Sequence, residues 1–329
     1  MKRPYLLFLC ILLCALLAGC SPSGNSPVST SAQGYDVIDA QGYHLHMDEK
    51  PQRIVTLSME TDEIVLGLVR PSRMAAVNAL LDDPGESTVV PQAQQISRKL
   101  SDPTIEVLVS LQPDLVIVPD WGDLSKVGTL RDLGMNVLVC KGSRSIDEVR
   151  QTVLLISQAI GEPEKGKDMV NLMDAELADI QEKAAAIPAD RRKKVVLISL
   201  MNTYGGSGSM FDDMCSRAGV INGMAAAGIR DGQAMSKEML VAINPDFLFL
   251  PSYTNHGTYD SQRYVNEYLN DPALQSLKAI QQGQLVKPRE SYIYNGSQDA
   301  VFGIREIAYA VYGDAFKQPD GCHISVVDP

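Results

Sequence analysis

The chain is 329 residues long and acidic, with 29 Lys and Arg against 40 Asp and Glu and a net charge of −11. Such a surface is repelled by nucleic acid and by anionic lipid headgroups, which excludes polyanion binding as the main role. Its length exceeds one typical hydrophobic core, so two domains are expected.

Residues 1–19 open with Lys2 and Arg3 and continue as the apolar run LLFLCILLCALLAG. That run is short for a hydrocarbon core of ~30 Å and reads as a secretion signal. Leu16-Leu17-Ala18-Gly19-Cys20 resembles the lipobox of bacterial lipoproteins. The resemblance implies cleavage before Cys20, a lipid on that cysteine and an extracytoplasmic protein anchored to the cell membrane. Loss of Lys2 and Arg3 makes the mature chain more acidic still. Residues 20–34, SPSGNSPVSTSAQG after the cysteine, cannot bury a core and read as a flexible tether. Cys10 and Cys14 leave with the signal. The remaining thiols, Cys140, Cys215 and Cys322, are too few for a disulfide framework and could form one bridge at most.

Residues 35–161 read as a first α/β lobe. In YHLHM, His44 and His46 face one side of a strand and could hold a metal; the reading adopted is an exposed hairpin without one. RIVTLS (53–58), DLVIVP (114–119) and NVLVC (136–140) are apolar throughout, as parallel strands buried on both faces are. Residues 162–187 read as one long helix. Val170, Met173, Leu177, Ile180, Ala184 and Ile187 share a face, Pro163 suits the first turn and Pro188 ends the run. At ~1.5 Å per residue this rod can run along two lobes. Residues 188–329 repeat the first pattern with VVLISL (195–200), DFLFLP (246–251) and QLVKP (284–288). The fold class is therefore α/β, two Rossmann-like lobes bridged by a single helix.

A repeat links the lobes. EVLVSLQPDLVIVPDW starts at Glu106 and EMLVAINPDFLFLPSY at Glu238. Each copy has a short helix carrying the glutamate, a Pro-Asp turn, a buried strand and an exit loop ending in an aromatic. Helix, turn and strand recur in any α/β protein, but the matched glutamates favour duplicated lobes. In open α/β sheets ligands bind beyond the carboxyl ends of the strands. Residues 58–60, Trp121, the loop 202–209 and Tyr253 stand at such ends. They make Ser58, Met59, Trp121, Asn202, Tyr204 and Tyr253 candidates for a cleft, joined by Tyr292 and Tyr294 near the C-terminus. His256 could ligate haem iron, or be an ordinary loop histidine. Tyr204-Gly205-Gly206-Ser207-Gly208 lacks the Lys-Ser/Thr of a P-loop and reads as a ligand-facing glycine turn.

RIVTLSMETDEIVLGL, PTIEVLVSLQPDLVIVPDW, GMNVLV and SKEMLVAINPDFLFLPSY resemble, in this order, the blocks of ABC-transporter substrate-binding proteins for ferric siderophores, haem and cobalamin. The resemblance runs from about Tyr35 to the C-terminus. It implies a class III periplasmic-binding-protein fold, a monomer without cofactor, and a permease dimer as partner, with Glu106 and Glu238 as its docking anchors. A two-fold permease needs two equivalent anchors, and one chain supplies them by repeating itself. The implied ligand is a metal chelate, a ferric siderophore first and cobalamin or haem next. A catecholate would require clustered bases. The strand-end loops offer Lys126, Arg230 and Arg289, which tilts the reading towards a hydroxamate, corrinoid or haem. The alternative is an extracytoplasmic enzyme on the same scaffold, although the chain has no GxSxG, HExxH or nucleotide fingerprint.

Overall fold

The computed structural model describes residues 34–253 and 260–327. A hairpin comes first, β1 (Tyr35–Ile38) antiparallel to β2 (His44–Met47). His44 and His46 are exposed on it, and His46 Nδ1 lies 2.7 Å from Asp36 Oδ1, a hydrogen bond that raises the imidazole pKa.

The first sheet contains β3 (Ile54–Thr56), β4 (Met74–Asn78), β5 (Lys99–Leu100), β6 (Leu115–Pro119) and β7 (Val137–Cys140), all parallel in the order β5-β4-β3-β6-β7. β3 and β6 are buried along their whole length. Their apolar continuity is what made them visible in the sequence. β4 was not anticipated, because MAAVN carries little β-branched signal, and a two-residue strand such as β5 has no pattern to read. Helices α1 (Met59–Leu68), α2 (Ile105–Ser110), α3 (Ser125–Asp132) and α4 (Ile146–Ala159) connect or cover these strands.

α5 (Pro163–Ala185) follows. It ends two residues earlier than the sequence suggests, since residues ahead of Pro188 are pushed out of the helical region. Its buried stripe is Gly166, Met169, Met173, Leu177, Ile180 and Ala184, so Met169 takes the place expected for Val170. The second sheet is β8 (Lys194–Leu197), β9 (Ile221–Asn222), β10 (Phe247–Phe249) and β11 (Leu285–Val286), parallel in the order β11-β10-β8-β9. With it come α6 (Met210–Arg217), α7 (Lys237–Ile243), α8 (Ser261–Leu269) and α9 (Ala300–Tyr312). The described residues form one compact unit. One core cluster holds Ile54 and Leu66, Met173 of α5, and Phe211 and Phe249.

The repeat has a structural counterpart beyond its helices. Asp114 accepts from the Arg53 amide at 2.9 Å, and Asp246 accepts from the Lys194 amide at 2.9 Å. Each Pro-Asp carboxylate thus fastens the start of the first strand of its sheet. The residue two before each aspartate, Gln112 or Asn244, is left-handed, with φ of 46° and 44°.

Candidate functional site

In the first sheet the order reverses at β3 and β6, and in the second at β8 and β10. The crevices beyond these strand ends are where an open sheet binds a ligand. Beyond β3 lies α1, and beyond β6 lies Trp121, 63% exposed and packed over the Gly142 backbone. Beyond β8 run exposed Asn202 and half-buried Tyr204, and beyond β10 half-buried Tyr253.

Two candidates do not face this region. Ser58 is 3% exposed and caps α1, its Oγ accepting from the Thr61 amide at 3.2 Å and lying 2.8 Å from Thr61 Oγ1. Its polar capacity is spent on the helix end. Tyr292 is 2% exposed, stacks edge-on against Phe302 and donates to the Cys322 carbonyl at 3.1 Å. It belongs to the core. Met59 is partly buried against the same core. His256 and Cys20 lie outside the described residues.

The candidates that do gather are aromatic. The Tyr204 and Tyr294 rings are 5.2 Å apart, and Tyr294 donates to Ser199 Oγ at 2.9 Å. Burial raises both hydroxyl pKa values, so each ring stays neutral. The Tyr253 hydroxyl is raised by burial and by the charges of Glu86, Asp83 and Glu290. That places the segment after β4 beside the second lobe. The Ser291 amide donates to the Gly85 carbonyl at 3.1 Å, which fixes the approach.

Carboxylates are the residues that sequence reasoning missed here. Burial pushes Glu86 up to about 7, with Glu290 and Asp83 adding to it. Glu290 accepts from the Ser252 amide at 2.6 Å. Glu60, also raised to about 7 by burial, accepts from Ser143 Oγ at 2.9 Å and lies against Gly296 of the second lobe. Below it Asn295 Nδ2 donates to Glu63 at 2.7 Å, and Thr88 Oγ1 to Asp299 at 2.7 Å. The floor between the lobes is therefore closed by polar contacts. DDPGE, after a strand, was the only local hint of an acidic turn.

The bases and the glycine loop are occupied. Lys126 reaches Asp102 at 2.9 Å, and Arg289 reaches Glu306 at 2.6 Å. Near Lys126 a cavity of about 90 Å³ lies under the strand tips, between Thr56, Asn78 and Asp123, with room for a few waters. In the glycine turn a Cβ on Gly206 would lie 2.4 Å from the Arg230 backbone, so close approach explains that glycine. The Gly205 and Gly208 amides already donate to Asp231 and Asp212, at 3.4 and 3.1 Å. Glu106 and Glu238 are exposed in the first turns of α2 and α7. The capping side chains Thr104 and Ser236 hold their carboxyls below the usual range. Cys140, Cys215 and Cys322 are free thiols. Among the described residues no helix is long and apolar enough to cross a membrane, and no cluster of three or more His, Cys, Asp or Glu could hold a metal.

A family model described as periplasmic binding protein matches residues 54–292. An uncharacterized ABC transporter substrate-binding lipoprotein of Bacillus subtilis, YvrC, is 24% identical over 97% of this chain and 100% of its own. The Fe(3+)-citrate-binding protein YfmC of the same organism is 23% identical, covering 84% of this chain and 85% of its own. Among solved structures, the apo form of the periplasmic heme-binding protein RhuT from Roseiflexus sp. RS-1 matches with a TM-score of 0.68 and 23% identity, over 81% of this chain and 99% of that one. At such identity the structural likeness bears on the fold alone.

Proposed function

Because the chain belongs to the periplasmic binding protein family, a family of binding proteins rather than enzymes, we propose that it captures a metal chelate between its two lobes and delivers it to an ABC-transporter permease dimer. The observation that carries this reading is the set of aromatics at the two switch points: Trp121 on one sheet, Tyr204, Tyr253 and Tyr294 on the other. Such rings offer broad apolar faces with a polar tip, which suits a large and partly flat ligand. A ferric siderophore comes first and cobalamin or haem next; the Fe(3+)-citrate named for one relative and the heme named for the structural neighbour support that range. The protein would act as a monomer held at the outer face of the cell membrane by a lipid on Cys20, in line with the relatives named as lipoproteins. Glu106 and Glu238 would dock on permease arginines. The chain itself would catalyse nothing, and its ligand would be released chemically unchanged.

The test is a titration of purified protein with candidate chelates, followed by recovery of the ligand. Trp121→Ala and Tyr253→Ala should each weaken binding by about tenfold, the order expected when an aromatic stacking contact is lost. Affinities within twofold of the parent in both variants would remove the cleft from these strand ends. Recovery of a chemically altered ligand would favour the enzyme instead.

A further inference from the structure

We propose that Gly142 is a positioning residue of the cleft: its lack of a side chain makes the seat that holds the Trp121 indole in place as a fixed wall against the ligand. The inference rests on the cleft reading above and names the residue that makes this wall rigid.

Trp121 is the only tryptophan of the chain. At 63% exposed it has little packing of its own to fix it. Its neighbour Gly142 lies in the loop after β7, the strand that pairs with β6. A Cβ at Gly142 would lie 2.1 Å from Trp121 Cδ1, 2.6 Å from Nε1 and 3.3 Å from Asp120 Oδ1. No carbon fits there while the ring stays in place. The backbone makes no demand for glycine, since φ at Gly142 is outside the left-handed region. What excludes a side chain is the indole.

The seat is firmly built. The Gly142 amide donates to Asp120 Oδ1 at 2.9 Å, and the Asp120 amide donates to the Cys140 carbonyl at 2.8 Å. Ser143 Oγ donates to Glu60 Oε1 at 2.9 Å, and Thr152 Oγ1 donates to the Lys141 carbonyl at 3.0 Å. Segment 140–143 is therefore tied to the loop carrying Trp121, to α1 and to α4. Gly142 itself is buried, so its backbone cannot retreat to admit a methyl group and the exposed ring must swing instead. A swung ring costs the fold little. It costs binding more, because a wall ordered in advance spares the ligand the entropy of ordering one. Alanine at this position therefore separates recognition from stability.

The experiment compares the full mature chain with Gly142→Ala, Trp121→Ala and the double variant. Each is titrated with a ferric tris-hydroxamate, cyanocobalamin and haem, and in the chains that keep it the lone indole is followed by fluorescence anisotropy before any ligand is added. Whichever probe the parent binds, Trp121→Ala should weaken it by about tenfold and Gly142→Ala by between about threefold and about tenfold. The double variant should bind no more weakly than Trp121→Ala alone, as two changes acting through one contact do. Indole anisotropy should fall in Gly142→Ala, while the melting temperature stays within about 2 °C of the parent. Asp120→Ala removes the clamp without adding bulk; it should lower the anisotropy too, and it takes the place of Gly142→Ala if that variant does not fold. Parent affinity in Gly142→Ala beside a loss in Trp121→Ala overturns the inference and leaves the cleft standing. Additive losses in the double variant, or unchanged anisotropy, overturn it as well. Parent affinity in both single variants removes Trp121 from the site, and failure of all three probes to bind removes the chelate reading; the inference falls with either.

Discussion

Gln112 and Asn244 occupy the same place in the two copies of the repeat, each turning the end of a short helix in a left-handed conformation. Asparagine visits that region routinely; glutamine does so at a cost of roughly 1–2 kcal/mol. Gln112→Asn should therefore raise stability by about 0.5–1 kcal/mol. Thermal unfolding of the variant checks this, and an unchanged or lower midpoint would mean that the backbone there carries no such strain. At this scale the sequence was legible where a motif repeats and opaque where a side chain's facing depends on a distant partner. Tyr292 and Tyr294 are two residues apart in one short segment, yet one is core and the other packs its ring against Tyr204. Nothing local distinguishes them. Glu86 and Glu290 were invisible as a pair because folding alone brings them together.

The repeated element, helix, Pro-Asp turn and buried strand, was read from sequence because each part has a physical signature of its own. Its glutamates lie in the first turns of α2 and α7, which Thr104 and Ser236 cap, and no ion pair to either is present among the described residues. Glu106→Ala and Glu238→Ala should leave chelate affinity within about twofold, since both side chains are exposed on the first turns of their helices. Docking to the reconstituted permease should weaken in each, and most in the double variant, because losing one partner of a charge-assisted contact leaves the other unpaired. Measuring the two affinities separately decides the matter. Loss of chelate binding with normal docking would assign the repeat to the ligand site instead. Strands β5 and β9 escaped detection for the opposite reason. Two residues carry no period, and pairing with a longer neighbour is what makes them strands.

Across the whole molecule, α1 carries Glu60, Asp62 and Glu63 in succession into the interior. Burial raises them to about 7, about 8 and about 7. Each takes up a proton on folding between its unfolded value near 4 and its raised folded value, so stability falls as pH rises through that window. The melting temperature should accordingly decline from about pH 5 to about pH 8. Asp62, bonded to Thr56 Oγ1 and to the Asn78 amide at 2.9 Å, can be replaced by the neutral isostere. Asp62→Asn should stay close to the parent at the acid end, exceed it at the alkaline end and flatten the slope. A parent profile that is flat or rising over the same range would contradict the burial of these groups. The two-lobed plan was legible because parallel strands and a long helix announce themselves, whereas the polar floor and the return of the C-terminal tail were not. That tail crosses from the second lobe to the first: the Val326 amide donates to the Gly67 carbonyl at 2.9 Å, and Gly67 is packed so closely that a Cβ there would lie 2.6 Å from Met169 Cε and 2.9 Å from the Ile324 oxygen. In mechanical terms, two plates joined along one edge swing, but plates also strapped together along a second line form a braced frame. Here α5 is the edge and the tail is the strap, so the mouth is set to keep its width as cargo enters and leaves.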